Sequence, residues 1–164
     1  MKKIISLFQR DYEGNRQVFN SVVPGAEWVI NGEGIPTEKY DGTSVMIQDG
    51  KMFKRYDVKT GKNPPANWIK LQDAPDPNSG HWPGWLPVSD TDPSDQWHRE
   101  GLANAISHNY DKMLPNGTYE LVGPKIGNKG GGNPYELTYH NLWKHGDEII
   151  GDVPPRTFDE LKIW

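Results

Sequence analysis

The chain has 164 residues and a mass of 18.6 kDa, which is one domain's worth. Net charge is -4, hydrophobic residues make up 34% and mean hydropathy is -0.80, yet seven Trp, seven Tyr and four Phe supply enough ring area for a small core and argue against disorder. No apolar run reaches the roughly 18 residues of a membrane span. The absence of Cys excludes disulfides and thiolate metal sites, and the near-balanced charge leaves any nucleic-acid contact to a local basic patch. The short apolar run at the start does not make a signal peptide, so a cytoplasmic protein is expected.

The first thirty residues read as strand, polar turn and strand, with Val18, Val22, Val23, Trp28, Val29 and Ile30 as apolar positions. Asn31 to Pro36 follows as a loop. Thr43 to Gln48 alternates as a strand, Asp49-Gly50 is a hairpin turn signal, and Lys51 to Tyr56 returns antiparallel. Residues 57–94 hold much of the proline and little periodicity; Trp68, Trp82 and Trp85 predict that this long segment is packed. Asp92 caps a helix with Pro93 in its first position, and Trp97, Leu102, Ala105, Ile106, Tyr110 and Met113 recur at helical steps until Pro115-Asn116-Gly117. Thr118 to Val122 reads as a strand, Gly127 to Asn133 as a glycine-rich loop, Tyr135 to Trp143 as a further strand and His145-Gly146-Asp147 as a turn. Thr157 and Glu160 form a capping box that announces a helix with only Leu161 to Trp164 left to run.

The sharpest chemical feature is Lys39-Tyr40-Asp41-Gly42. A lysine amine is a covalent nucleophile once it sheds its proton, Asp41 is placed to orient it, and Gly42 admits a close backbone approach. Together they suit attack on a nucleotide α-phosphate. Arg55, on the return strand of the hairpin, is a phosphate or ribose clamp, and Lys51, Lys54, Arg55, Lys59 and Lys62 give a local basic patch. Glu120, inside an apolar strand, is a carboxylate for a ribose hydroxyl or for Mg²⁺, and Lys125 is a further phosphate candidate. The Gly127–Asn133 loop lacks P-loop spacing, and the five His show no metal-ligand spacing.

Lys39-Tyr40-Asp41-Gly42 resembles motif I of the covalent nucleotidyltransferases, the polynucleotide ligases and capping enzymes. The likeness is closest to an ATP-dependent RNA ligase family found in phages and bacteria. It runs in order through Thr37 to Gly42, Lys54-Arg55 with Gly61 to Pro65, Gly80 to Val88, Gly117 to Ile126, and Leu142 to Gly146. The resemblance implies an α+β fold: an ATP-grasp-like adenylyltransferase core of antiparallel sheets with flanking helices, residues 1–164 forming one nucleotidyltransferase domain. It implies ATP and Mg²⁺, with Lys39 as the adenylated nucleophile. Thr37 and Glu38 would line the adenine pocket, Arg55 would touch ribose or phosphate, Glu120 would be the motif III carboxylate, and an aromatic between Tyr139 and Trp143 would stack on adenine. RNA ends are the implied partner, with DNA ends or capping chemistry as alternatives. The family continues past Arg156 to Leu161 into a metal-binding Glu-Gly-hydrophobic motif and a Lys-x-Lys motif, which this sequence does not contain in that place. It is accordingly expected to be C-terminally incomplete: a ligase completed by a second polypeptide, or a remnant that binds nucleotide or RNA without catalysis.

Overall fold

A computed structural model describes residues 4–77, 79–109, 113–127 and 133–164. The described residues fall into two compact units: a larger one over residues 39–145, and a smaller one formed by residues 4–38 with 146–164. The architecture is mixed α+β, with a six-stranded antiparallel sheet, a two-stranded sheet and few helices.

In the larger unit β3 (Thr43–Gln48) and β4 (Lys51–Val58) form the expected hairpin. Asp49 (φ 51°) and Gly50 (φ 73°) both sit in the left-handed region, the conformation a two-residue turn needs to follow the strands' twist. The remaining strands are β5 (Ile69–Lys70), β6 (Trp82–Pro87), β7 (Gly117–Val122) and β8 (Asn141–Lys144), in the order β5-β6-β4-β3-β7-β8. Alternation splits the sheet's residues between two faces. Val45, Ile47, Met52, Tyr119, Leu121 and Leu142 point to one face and form the core with Ala105 of α2 (Gln96–Ser107). Helix α2 lies so close that a Cβ on Gly101 would stand 2.4 Å from Leu121 Cδ1.

Asp92 caps the helical segment as expected: its carboxylate accepts from the Ser94 N–H, and Pro93 opens a 3-10 turn (Pro93–Asp95) that leads into α2. The helix stops at Ser107, six residues short of Met113, where Ser107 Oγ and His108 Nδ1 both bond the Asn104 carbonyl. Tyr110 and most of the glycine-rich loop lie outside the described residues.

The long proline-rich segment contains two strands that periodicity did not reveal. β6 pairs along its whole length with β4 despite Pro83 and Pro87. The Pro83 carbonyl accepts from Leu71 N, so its missing N–H faces the short neighbour β5, not β4. The tryptophans do pack: Trp85 is 3% exposed, Trp68 meets Trp82 edgewise at 5.2 Å, and Trp68 Nε1 donates to the Tyr56 carbonyl. Residues 135–140 are not the strand that alternation suggested. Glu136 has φ 53°, and the His140 N–H is taken by Glu100, so pairing begins only at Asn141.

In the smaller unit β1 (Phe8–Arg10) and β2 (Val18–Val22) form an antiparallel pair. Trp28-Val29-Ile30, expected as strand, belongs instead to the one-turn helix α1 (Glu27–Ile30); the Glu27 carboxylate accepts from Gly25 N at its start. Arg156 donates to the Val29 carbonyl, and Phe8 meets Phe158 edgewise. The capping box is realised: Thr157 Oγ1 accepts from Glu160 N and donates to the Glu160 carboxylate, opening α3 (Phe158–Ile163).

Candidate functional site

The second face of the large sheet carries Arg55, Ser44 and Glu120. Antiparallel neighbours share a face. Ser44 on β3 stands opposite Glu120 on β7, and Glu120 stands opposite Trp143 on β8. Arg55 on β4 stands opposite Trp85 on β6, and extending the Val45↔Lys54 register by one step sets Arg55 opposite Ser44. One transverse row therefore reads Trp85, Arg55, Ser44, Glu120, Trp143 across five strands.

The chain entering β3 is pinned over this row. A Cβ on Gly42 would lie 2.2 Å from the Leu121 carbonyl oxygen and 2.9 Å from Glu120 Cγ, so the backbone reaches Glu120 only because residue 42 has no side chain. The surface that Gly42 accommodates is thus β7 itself. Asp41 N donates to Tyr135 Oη at 2.5 Å. Tyr40 and Tyr135 both meet the Trp143 ring edgewise, with centroids 5.1 and 4.6 Å away. Lys39 is exposed and three residues from Gly42, which keeps its Cα within about 10 Å of the glycine's. No hydrogen bond or ion pair joins Lys39 to Asp41.

Glu120 Oε2 accepts from His145 Nε2 at 2.8 Å, with side-chain exposures of 12% and 20%. Arg55 Nε donates to Asp57, the next residue but one on the same face, at 2.5 Å. A guanidinium has five donors, so this pair leaves Arg55 able to bind an anion. Among the described residues no three His, Asp or Glu side chains converge to hold a metal ion.

The five-residue basic patch does not form as a unit. Lys54 and Arg55 point to opposite faces, and Lys54 is neutralised by Asp95, which is 1% exposed, at 2.5 Å. Burial by itself would raise the Asp95 carboxyl; the hydrogen bonds from Lys54 and the Ser89 N–H, with the Lys54 charge, outweigh it and hold Asp95 below the usual carboxylate range. Lys125 follows β7 in a turn whose backbone N–H donates to His140 Nε2, while His140 Nδ1 bonds Glu100 and the ring stacks on Trp97. Those His140 bonds hold Glu100 below its ordinary value. Thr37 and Glu38 lie in the smaller unit, where Thr37 bridges to Ile149 and Glu38 N donates to the Glu148 carbonyl.

Sequence reasoning singled out Lys39, Arg55, Gly42 and Glu120 but missed Tyr135, Ser44 and His145. The period of two was the available signal for His145: it follows Trp143 by two residues and so shares its face.

The chain has distant similarity to RNA ligase 1 over much of its length. It is 30% identical to RNA ligase 1 of Rattus norvegicus over 126 residues, covering 61% of this chain and 37% of the relative. It is 26% identical to RNA ligase 1 of Pongo abelii over 193 aligned positions, covering 79% and 58%. The chain thus spans between about a third and three fifths of these relatives. No family model matches it.

Proposed function

We propose that this chain carries the adenylyl-accepting site of an ATP-dependent RNA ligase, with Lys39 as the nucleophile. The observation that supports this reading most is the packing of the Lys39–Gly42 segment onto Glu120, in the row that also bears Arg55 and Trp143. The Lys39 amine sheds a proton, for which Asp41 is an acceptor, and its lone pair attacks the α-phosphorus of ATP. A P–N bond forms, the bond to the bridging oxygen breaks, and pyrophosphate leaves with the electron pair. A 5′-phosphate oxygen then displaces the lysine to give an adenylylated end, and a 3′-hydroxyl displaces AMP. Arg55 neutralises phosphate charge that grows in the transition state. Glu120, an acceptor only, takes a ribose hydroxyl. Trp143, already ringed by Tyr40 and Tyr135, offers an aromatic face to the base. Magnesium, when bound with the triphosphate, supplies further charge neutralisation.

The test is incubation with α-labelled ATP and Mg²⁺, followed by RNA or DNA carrying a 5′-phosphate. The wild-type chain acquires label and Lys39→Ala does not; 5′-phosphorylated RNA then discharges it. Wild type that binds ATP yet stays unlabelled, at any Mg²⁺ concentration, contradicts catalysis and leaves a nucleotide-binding role.

A further inference from the structure

We propose that His145 is a positioning residue that aims the Glu120 carboxylate and so sets a preference for ribose over deoxyribose nucleotides; this rests on the nucleotide reading above. A glutamate on a strand has three rotatable side-chain torsions, and its carboxylate is an aimed acceptor only if something fixes it. On the described face Glu120 is bordered by Ser44 on β3, by Trp143 on β8 and by the Gly42 backbone 2.9 Å from its Cγ, measured to an added Cβ. None of these bonds the carboxylate. His145 does, from the diagonal position beyond β8, through Nε2 to Oε2 at 2.8 Å.

The ring is itself held. The His145 backbone N–H donates to the Thr118 carbonyl at 3.1 Å, which continues the β7–β8 ladder one residue past Lys144. Its side chain is 20% exposed, and Nδ1 is buried with no hydrogen-bond partner among the described residues. A carboxylate on Nε2 and nothing on Nδ1 select the tautomer with its proton on Nε2, since a proton on Nδ1 would be a buried donor without an acceptor. With Oε2 occupied, Oε1 is the oxygen left to accept from a ligand. A carboxylate oxygen reads donors, so it favours a hydroxyl over the hydrogen that replaces it in a deoxynucleotide.

The experiment measures equilibrium binding of ATP, 2′-deoxy-ATP and 3′-deoxy-ATP by calorimetry, for the full chain as wild type, His145→Ala and His145→Gln. All carry Lys39→Ala, so no covalent adduct forms, and wild type here refers to position 145. Wild type is expected to favour ATP over one of the deoxynucleotides by about ten- to a hundredfold, the range of one hydrogen bond to a charged group. His145→Ala loses that preference, and His145→Gln, which keeps a terminal N–H donor, recovers most of it. An unchanged preference in His145→Ala overturns the proposal. Nitrogen-15 spectra of the His145 ring without nucleotide separate the two layers. An Nε2–H signature that changes in Glu120→Ala supports the pairing, and a signature indifferent to Glu120 overturns it. ATP binding absent from the chain with Lys39 restored, with the pairing intact, defeats the nucleotide reading instead.

Discussion

Gly42→Ala is a small substitution with a large expected consequence. The added Cβ would stand 2.2 Å from the Leu121 carbonyl oxygen and 2.9 Å from Glu120 Cγ. The oxygen belongs to a strand paired on both sides, to β3 and β8, so it cannot yield alone. The 39–42 segment must instead lift by about 1 Å to restore an ordinary contact, at a cost of about 1–3 kcal/mol typical of overpacking. That lift also strains the 2.5 Å bond from Asp41 N to Tyr135 and displaces the segment that bears Lys39. A misplacement of this size costs about a hundredfold in a step that depends on alignment. Urea unfolding and the rate of label transfer from ATP read the two effects separately. Gly151→Ala is the control: its added Cβ meets nothing within 4 Å, so stability should stay within about 0.5 kcal/mol. A Gly42→Ala chain that melts and reacts like wild type refutes the packing of this segment on β7.

Trp143→Ala removes two edgewise ring contacts, with Tyr40 and Tyr135, and should cost about 1–3 kcal/mol in urea unfolding. Asp95→Asn leaves Lys54 without its buried counter-charge; because Lys54 keeps 20% exposure, the expected loss is about 2–3 kcal/mol, and Lys54→Met with Asp95→Asn should recover part of it. Acid should destabilise the chain in stages. Burial holds His98 below its ordinary 6.5, with Asp95 opposing and Lys54 and Arg99 adding, so the unfolded state binds the proton first and stability falls as pH drops below 6.5. Asp95 and Glu100, both depressed, contribute stability that is full above their ordinary 3.8 and 4.5 and is lost as pH falls through their lower folded values. Melting temperature against pH for wild type and His98→Gln checks this: the variant should lose the upper stage and keep the lower.

Local chemistry made the hairpin legible. Asp49-Gly50 demands two positive φ values that few other pairs supply, and the flanking alternation fixed which residues face the core. The capping residues Asp92 and Thr157 were legible for the same reason, since each satisfies a donor within three residues. Strand β6 was hidden because Pro83, Gly84 and Pro87 read as punctuation; only the identity of its neighbour makes the prolines tolerable. Residues 135–140 alternate like a strand but serve a tertiary purpose, with Tyr135 bonded to Asp41 and His140 to Glu100. Within the site, Lys39, Arg55 and Glu120 stood out as charges in apolar or glycine-flanked settings. The common row of Arg55 and Glu120 depends on register between β4, β3 and β7, which joins residues 65 apart in the chain. Lys54 and Arg55 were read as one basic patch although strand period sets them on opposite faces, and Asp95 as the partner of Lys54 required the turn before α2.

The most direct measurement is intact-mass and peptide spectrometry of the purified chain after exposure to ATP and Mg²⁺. One added AMP per molecule, mapped to the peptide bearing Lys39 and released by mild acid as a phosphoramidate should be, is the predicted result. An adduct on any other side chain, or an unmodified Lys39 in protein saturated with ATP, would contradict the account.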